Sequence, residues 1–220
     1  MKKFFSHPLL IVSVILFADQ VSKFWVKLHM YLGEEIHVLG NWFLIHFTEN
    51  NGMAFGLEFG DDWGKLVLSV FRILAIFALS WYIIHIGKQH APKGVLVCMS
   101  MILAGAIGNV IDSLFYGMIF SDSYGSLATM FPEEGGYAPF LFGKVVDMLY
   151  FPLLEGFLPN WIPIWGGDYF IFFRPVFNIA DSSITVGVLS LILFFRKYFK
   201  EEKPEKQVTK DLSEDMLADQ

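Results

Sequence analysis

Charge is what this 220-residue chain has least of: 17% of its residues are charged, 55% are hydrophobic, and the mean hydropathy is +0.50. A water-soluble globule carries about 25% charged residues to clothe its surface, so this chain has a second solvent, and lipid is the obvious one. Cysteine is nearly missing. The single Cys98 excludes an internal disulfide framework and any cysteine-based metal site. Basic residues are few as well, and a net charge of −6 without a basic patch argues against nucleic-acid binding. His29, His37 and His46 are scattered without ligand spacing, so neither a metal nor another cofactor is expected. In place of these the chain has 24 Phe and long aliphatic runs, which exclude disorder over most of its length.

Crossing a bilayer core takes about 20 apolar residues, and four stretches approach that length: 8–27, 64–86, 94–115 and 177–197. The expected fold is all-α and integral to the membrane, with four transmembrane helices in a domain covering residues 1–200. Outer segments 28–63 and 116–176 contribute a small extracytoplasmic β element and a long aromatic-rich loop. Residues 201–220 read as a charged cytoplasmic tail. Lys and Arg near the span ends set the orientation. Lys2, Lys3, Lys88, Lys93, Arg196, Lys197 and Lys200 fall on one side of a four-span chain, which places both termini in the cytoplasm. The first outer segment alternates apolar residues (Ile36, Val38, then Trp42, Leu44, Ile45, Phe47) like short strands and ends in the turn signal Asn50-Asn51-Gly52. The second is expected to lie on the outer membrane surface as short helices and turns, with Trp161, Trp165, Tyr169 and Phe170 at headgroup depth.

That topology brings polar residues to a single depth. Asp19 and Asp112 sit near the outer ends of spans one and three, Asn51-Gly52 and Asp181 near the outer starts of spans two and four, and Asp147 in the outer loop. Gly105, Gly108, Asn109 and Asp112 share one helix face; Asn178, Asp181, Ser182 and Thr185 have the same spacing on span four. Glycines there permit close approach of a neighbouring helix. Asp19 and Lys23, one turn apart, can pair. A carboxylate facing hydrocarbon costs several kcal/mol, so these side chains are expected to face the protein interior or a wet cavity. Arg72, near mid-membrane on span two, reads as a packed or snorkelling residue, or as the partner of a carboxylate.

Taken together, these segments resemble the bacterial lipoprotein signal peptidases, the type II signal peptidases that are intramembrane aspartic proteases. The resemblance rests on Asp19-Gln20-Val21-Ser22-Lys23, on Asn51-Gly52-Met53-Ala54-Phe55-Gly56, on Gly105-Ala106-Ile107-Gly108-Asn109-Val110-Ile111-Asp112, on Val145-Val146-Asp147 and on Phe177-Asn178-Ile179-Ala180-Asp181-Ser182. It implies that Asp147 and Asp181 are the catalytic pair, and that Asn51, Gly52, Asn109, Asp112, Asn178 and Ala180 shape or support the site. Asp19 and Lys23 are read as packing residues or as its scaffold. The resemblance also implies a lipidated prolipoprotein as substrate, cleaved before its diacylglyceryl-modified cysteine, membrane lipid as a second partner, the bacterial inner membrane as location with the site near the outer leaflet, and inhibition by globomycin. Two departures stand out. The family usually has Arg after the span-three Asp, where this chain has Ser113; Arg174 or Lys144 from the outer loop are candidate replacements. The segments flanking Asp147 are also longer than usual.

The chemistry fits the residues. No Ser-Lys or Cys-His pair suggests itself at the outer depth, whereas two carboxylates and a water suffice for peptide hydrolysis. Close together they share one proton near neutral pH and titrate as a unit. The competing reading is a small proton-coupled transporter, since intramembrane carboxylates also build proton relays. That reading expects polar residues through both leaflets, and the inner halves of spans one, three and four are nearly bare of charge.

Overall fold

The computed structural model describes residues 2–51, 62–152, 154–161, 163–172 and 175–199. Gly52 and the Met53-Ala54-Phe55-Gly56 run after it, Arg174 and the expected tail 201–220 lie outside the described residues.

Four main helices are seen among the described residues. They are α1 (Lys2–His29), α2 (Asp62–Lys88), α3 (Lys93–Ile111, continued by a π turn at Asp112–Tyr116 and a last turn, α4, at Gly117–Ile119) and α5 (Ile179–Phe194). Three are long and apolar enough to cross a bilayer: Pro8–His29, Trp63–Lys88 and Lys93–Ile119. With a small antiparallel sheet beside them, they fit a multi-pass membrane protein. The α5 helix is apolar but has 16 residues.

Polarity is arranged inside out. Phe17, Phe71, Phe77, Trp81 and Leu193 are exposed on the helix surfaces, while Asp19, Lys23, Lys27 and Asp112 are wholly buried. In hydrocarbon the charged groups must find partners within the protein, and among the described residues no buried side-chain nitrogen or oxygen lacks one. The centre of the bundle is α3, which packs against α1, α2 and α5. Its small residues let α5 come close. A Cβ on Gly105 would run into the Ala180 carbonyl and the Ile184 side chain, and one on Gly108 would come within 2.7 Å of Asp19 Oδ2. Gly187 of α5 returns the fit, 2.8 Å from the Cys98 carbonyl by the same construction.

The sheet has the order β1–β2–β3–β6, from Glu35–Leu39, Phe43–Asn50, Val145–Tyr150 and Val176–Phe177, all pairs antiparallel. Val26 and Met30 of α1, Phe47 of β2, Tyr116 and Phe120 beyond α3, and Val146 and Met148 of β3 form one buried cluster that fixes this sheet to the bundle. A separate hairpin joins β4 (Leu154–Phe157) to β5 (Tyr169–Phe172).

The second outer segment therefore departs from the expected short helices and turns. Within it, described residues 145–177 supply four strands, and 120–144 fold back on the end of α3 through bonds such as Gly143 N to Ser113 O (2.9 Å) and Ala138 N to Gly117 O (3.0 Å). The Val-Val and Leu-Tyr pairs of β3 have strand preference. With α1 and the π turn packed against β3, Val145–Met148 are buried at every position rather than alternately, so no period of two is visible there.

Candidate active site

Two pairings set the site. β3 pairs with β2 so that Thr48 faces Asp147 and Asn50 faces Val145. β6 pairs with β3, Phe177 opposite Leu149, and ends where α5 begins. The first turn of α5 is thereby carried alongside Asp147. Asn178 is the N-cap of α5: its Oδ1 accepts the Asp181 backbone N–H at 2.8 Å. Asn is among the strongest N-cap residues, and Asp181 in the first turn lies at the positive end of the helix dipole.

The two acids are joined through amides. The Asn178 Nδ2 donor lies 2.8 Å from Asp147 Oδ1, 3.1 Å from Asn109 Oδ1 and 3.3 Å from the Val146 carbonyl. Asn109 Nδ2 donates to Asp181 Oδ1 at 2.7 Å. On the other side of Asp147, the Asn50 amide donates to Oδ2 at 3.4 Å. Asp147 is buried, 4% exposed, whereas Asp181 is half-buried. Burial pushes the Asp147 carboxyl up to about 7, with the nearby Asp181 charge adding to the rise and the Asn50 and Asn178 donors and the Lys23 charge opposing it.

Beneath this pair lies a charged scaffold. Lys23 Nζ reaches Asp112 Oδ2 at 2.8 Å, Asp19 Oδ2 at 2.9 Å and Asn109 Oδ1 at 3.0 Å. Gln20 Nε2 lies 3.1 Å from both Asp19 Oδ2 and Asp112 Oδ1, and Tyr116 OH donates to Gln20 Oε1 at 3.1 Å. Asp19 Oδ1 accepts the Ala180 N–H at 2.9 Å, and Asp112 Oδ2 accepts the Val146 N–H at 3.3 Å. Each scaffold acid thus also holds the backbone beside a member of the pair. Asp112 opens the π turn of α3, a local widening often found at functional positions.

Of the sequence-predicted residues, the structure brings together Asp19, Lys23, Asn109, Asp112, Asp147, Asn178, Ala180 and Asp181. Asn51 is exposed and accepts from Lys65 Nζ at 3.3 Å; its neighbour Asn50 is the residue that meets Asp147. On α5, Thr185 is exposed, and the inner face continues through Ser183, whose hydroxyl donates to the Met101 carbonyl at 2.7 Å, and Gly187. Lys144, a candidate for the missing arginine, is engaged elsewhere, 3.1 Å from Glu49 Oε2.

Sequence reasoning missed a second buried ion cluster. The Glu49 carboxylate is held by Lys27 and Lys144, and Ser123 Oγ lies 2.8 Å from Lys27 Nζ. The Lys27 ammonium also stands 4.9 Å from the Tyr137 ring centre. Burial pushes Glu49 up, but its two lysines outweigh that and hold it below the ordinary carboxylate range. A signal existed: Asp19, Lys23 and Lys27 recur every four residues along one face of α1. Gln20 was also visible, inside the first matched segment. Among the described residues, no group of three or more His, Cys, Asp or Glu is placed to hold a metal ion.

The chain is similar to known proteins along most of its length. Residues 11–197 match the family model described as signal peptidase (SPase) II. A lipoprotein signal peptidase of Porphyromonas gingivalis is 50% identical over 186 residues, covering 84% of this chain and 80% of that protein. Another, of Amoebophilus asiaticus, is 37% identical over 219 residues, with coverages of 98% and 86%. Among solved structures, a bacterial membrane enzyme determined by the in meso method at 1.9 Å aligns with a TM-score of 0.55 at 26% identity, over 86% of this chain and 91% of that one.

Proposed function

This chain belongs to the signal peptidase II family, and we propose that it removes signal peptides from lipoprotein precursors by an aspartic mechanism, with Asp147 and Asp181 as the catalytic pair. One observation carries this reading: two carboxylates from different elements, β3 and α5, are linked through two bonded amides, Asn178 donating to Asp147 and to Asn109, and Asn109 to Asp181. A pair so linked, one member buried and the other half-open, suits a shared proton. Burial and the Asp181 charge raise the Asp147 carboxyl to about 7, which suits a pair that holds one proton near neutral pH.

In the reaction, the ionised carboxylate takes a proton from a water whose oxygen attacks the scissile carbonyl carbon. The protonated carboxyl donates a hydrogen bond to the carbonyl oxygen as that oxygen gains charge. The C–N bond then breaks, the leaving nitrogen takes a proton, and the pair returns to its singly protonated state. Asn109 and Asn178 fix both acids against rotation.

The substrate is a precursor whose cysteine carries diacylglycerol, cut on the N-terminal side of that cysteine. Its acyl chains lie in the outer leaflet against the exposed apolar flanks of the bundle. The α5 helix, about 24 Å long at 1.5 Å per residue, is the fourth crossing; both termini face the cytoplasm, and the site lies near the outer leaflet of the inner membrane. The exposed Trp161, Ile164 and Trp165 at the turn between β4 and β5 support an aromatic loop resting on the bilayer surface.

The test is cleavage of a lipidated precursor peptide by the purified protein in detergent. Asp147→Asn and Asp181→Asn should each lose at least about 100-fold in kcat/KM while retaining helix content, and globomycin should inhibit the unchanged protein. Substantial cleavage by either variant would refute the aspartic assignment.

A further inference from the structure

We propose that Arg72 is a positioning cation for the Asp147–Asp181 pair: its guanidinium, on the face of α2 turned toward the site, keeps one of the two carboxylates ionised. The inference rests on the carboxylate-pair reading above.

Most of α2 faces outward, through the exposed Val67, Val70, Phe71, Leu74, Phe77 and Trp81. Lys65, Ser69 and Arg72, at i, i+4 and i+7, share another face. Its two upper members define where that face points. Lys65 Nζ reaches Asn51 Oδ1 at 3.3 Å, and buried Ser69 donates to the Leu141 carbonyl at 3.3 Å. Leu141 N in turn donates to the Leu114 carbonyl, within the π turn that begins at Asp112. Arg72 is thus one turn below a contact with the segment covering Asp112, and it is half-buried among lipid-facing neighbours. Its charge is within electrostatic reach of Asp181, Asp112 and Asp147.

The charges around the pair call for such a group. The scaffold and the pair together contain four acids: Asp19, Asp112, Asp147 and Asp181. An ammonium has three donor hydrogens, and those of Lys23 are committed to Asp19, Asp112 and Asn109. Lys27 and Lys144 belong to Glu49, and Lys65 to Asn51. Among the described residues, Arg72 is a further cation within electrostatic reach of the pair, and its guanidinium stays charged throughout the working pH range and donates in a planar fork suited to a carboxylate.

The consequence is a shift on the pH axis. A cation beside the pair favours the loss of each of its protons, so removing that cation moves both limbs of the activity bell upward. Cleavage of the lipidated peptide is followed between pH 4 and 10 for the unchanged protein, Arg72→Gln, Arg72→Met and Arg72→Lys, with Asp147→Asn and Asp181→Asn alongside. The two neutral variants should lose about 10-fold or more in kcat, and their bells should move up by about one pH unit or more. Arg72→Lys should keep the bell near its original position. The position of a bell does not depend on how much enzyme is folded, so partial loss of protein leaves the result readable. Neutral variants with an unmoved bell, or Arg72→Lys displaced as far as Arg72→Gln, would overturn the assignment. If the aspartate variants still cleave, the carboxylate-pair reading itself has failed; if they are inactive and only the bell fails to move, Arg72 alone is wrongly assigned.

Discussion

Asn178 divides one side-chain amide between two tasks. Its oxygen caps α5 and its nitrogen restrains Asp147. Asn178→Ala should lose both, costing about 1 kcal/mol for the cap and reducing kcat more than KM. Asn178→Asp keeps a capping oxygen but exchanges the donor for an acceptor. Its new oxygen would face Asp147 Oδ1, Asn109 Oδ1 and the Val146 carbonyl, so the variant should recover neither the stability, as read from thermal unfolding in detergent, nor the rate. Asp147 has a stability signature of its own. The folded protein holds that proton up to about pH 7, whereas an unfolded aspartate releases it near 4. Between those values the folded state binds more protons, so stability falls as pH rises. Asp147→Asn removes the penalty. It should be more stable than the parent at pH 8, by on the order of 1–3 kcal/mol, and show no such gain at pH 4.

Between elements, the site depends on how near α3 and α5 can come. Gly105→Ala would drive a methyl group into the Ala180 carbonyl and should cost about 1–3 kcal/mol, the usual range for an overpacked contact, with cleavage falling because Ala180 and Asp181 move with the helix. The role of Gly105 was legible as a stripe of small residues; the carbonyl it accommodates was not, because that contact joins residues far apart in the chain. The Glu49 cluster works in the same way for the outer segment, tying β2 to α1 through Lys27 and to the strap before β3 through Lys144. Glu49→Gln leaves the buried Lys27 ammonium without its carboxylate and should destabilise the fold by about 3–5 kcal/mol. A Glu49→Gln, Lys27→Met double variant should recover most of that loss, since no buried charge is then stranded. Helices α1 to α3 could be located from apolar runs alone. The strands of 145–177 could not, because β3 is buried at four successive positions and its sequence does not alternate.

At the scale of the whole molecule, the aromatic turn between β4 and β5 has no charged residue from Gly156 to Gly167, and the exposed Trp161 and Trp165 lie within it. A two-stranded hairpin is marginal by itself in water, and under the proposed function a lipid surface supplies the missing support. With Trp25, Trp42, Trp63 and Trp81 replaced by Phe, the remaining fluorescence should be quenched by lipids brominated near the headgroup more than by lipids brominated deep in the chains. Quenching by soluble acrylamide alone would place the turn in water instead.

By itself the sequence determined that this protein belongs in a membrane, and it set the expected direction of the spans and depth of the acids, because hydrophobic length and the side of each lysine are properties of short stretches of chain. It also carried, through five separate segments, the resemblance that named Asp147 and Asp181. Only the tertiary structure decided which groups touch them: that Asn50 rather than Asn51 meets Asp147, that Lys23 is consumed by Asp19 and Asp112, and that Lys144 serves Glu49. Those outcomes depend on strand register and helix approach, which are set where distant parts of the chain pack and leave no periodic trace within any one of them.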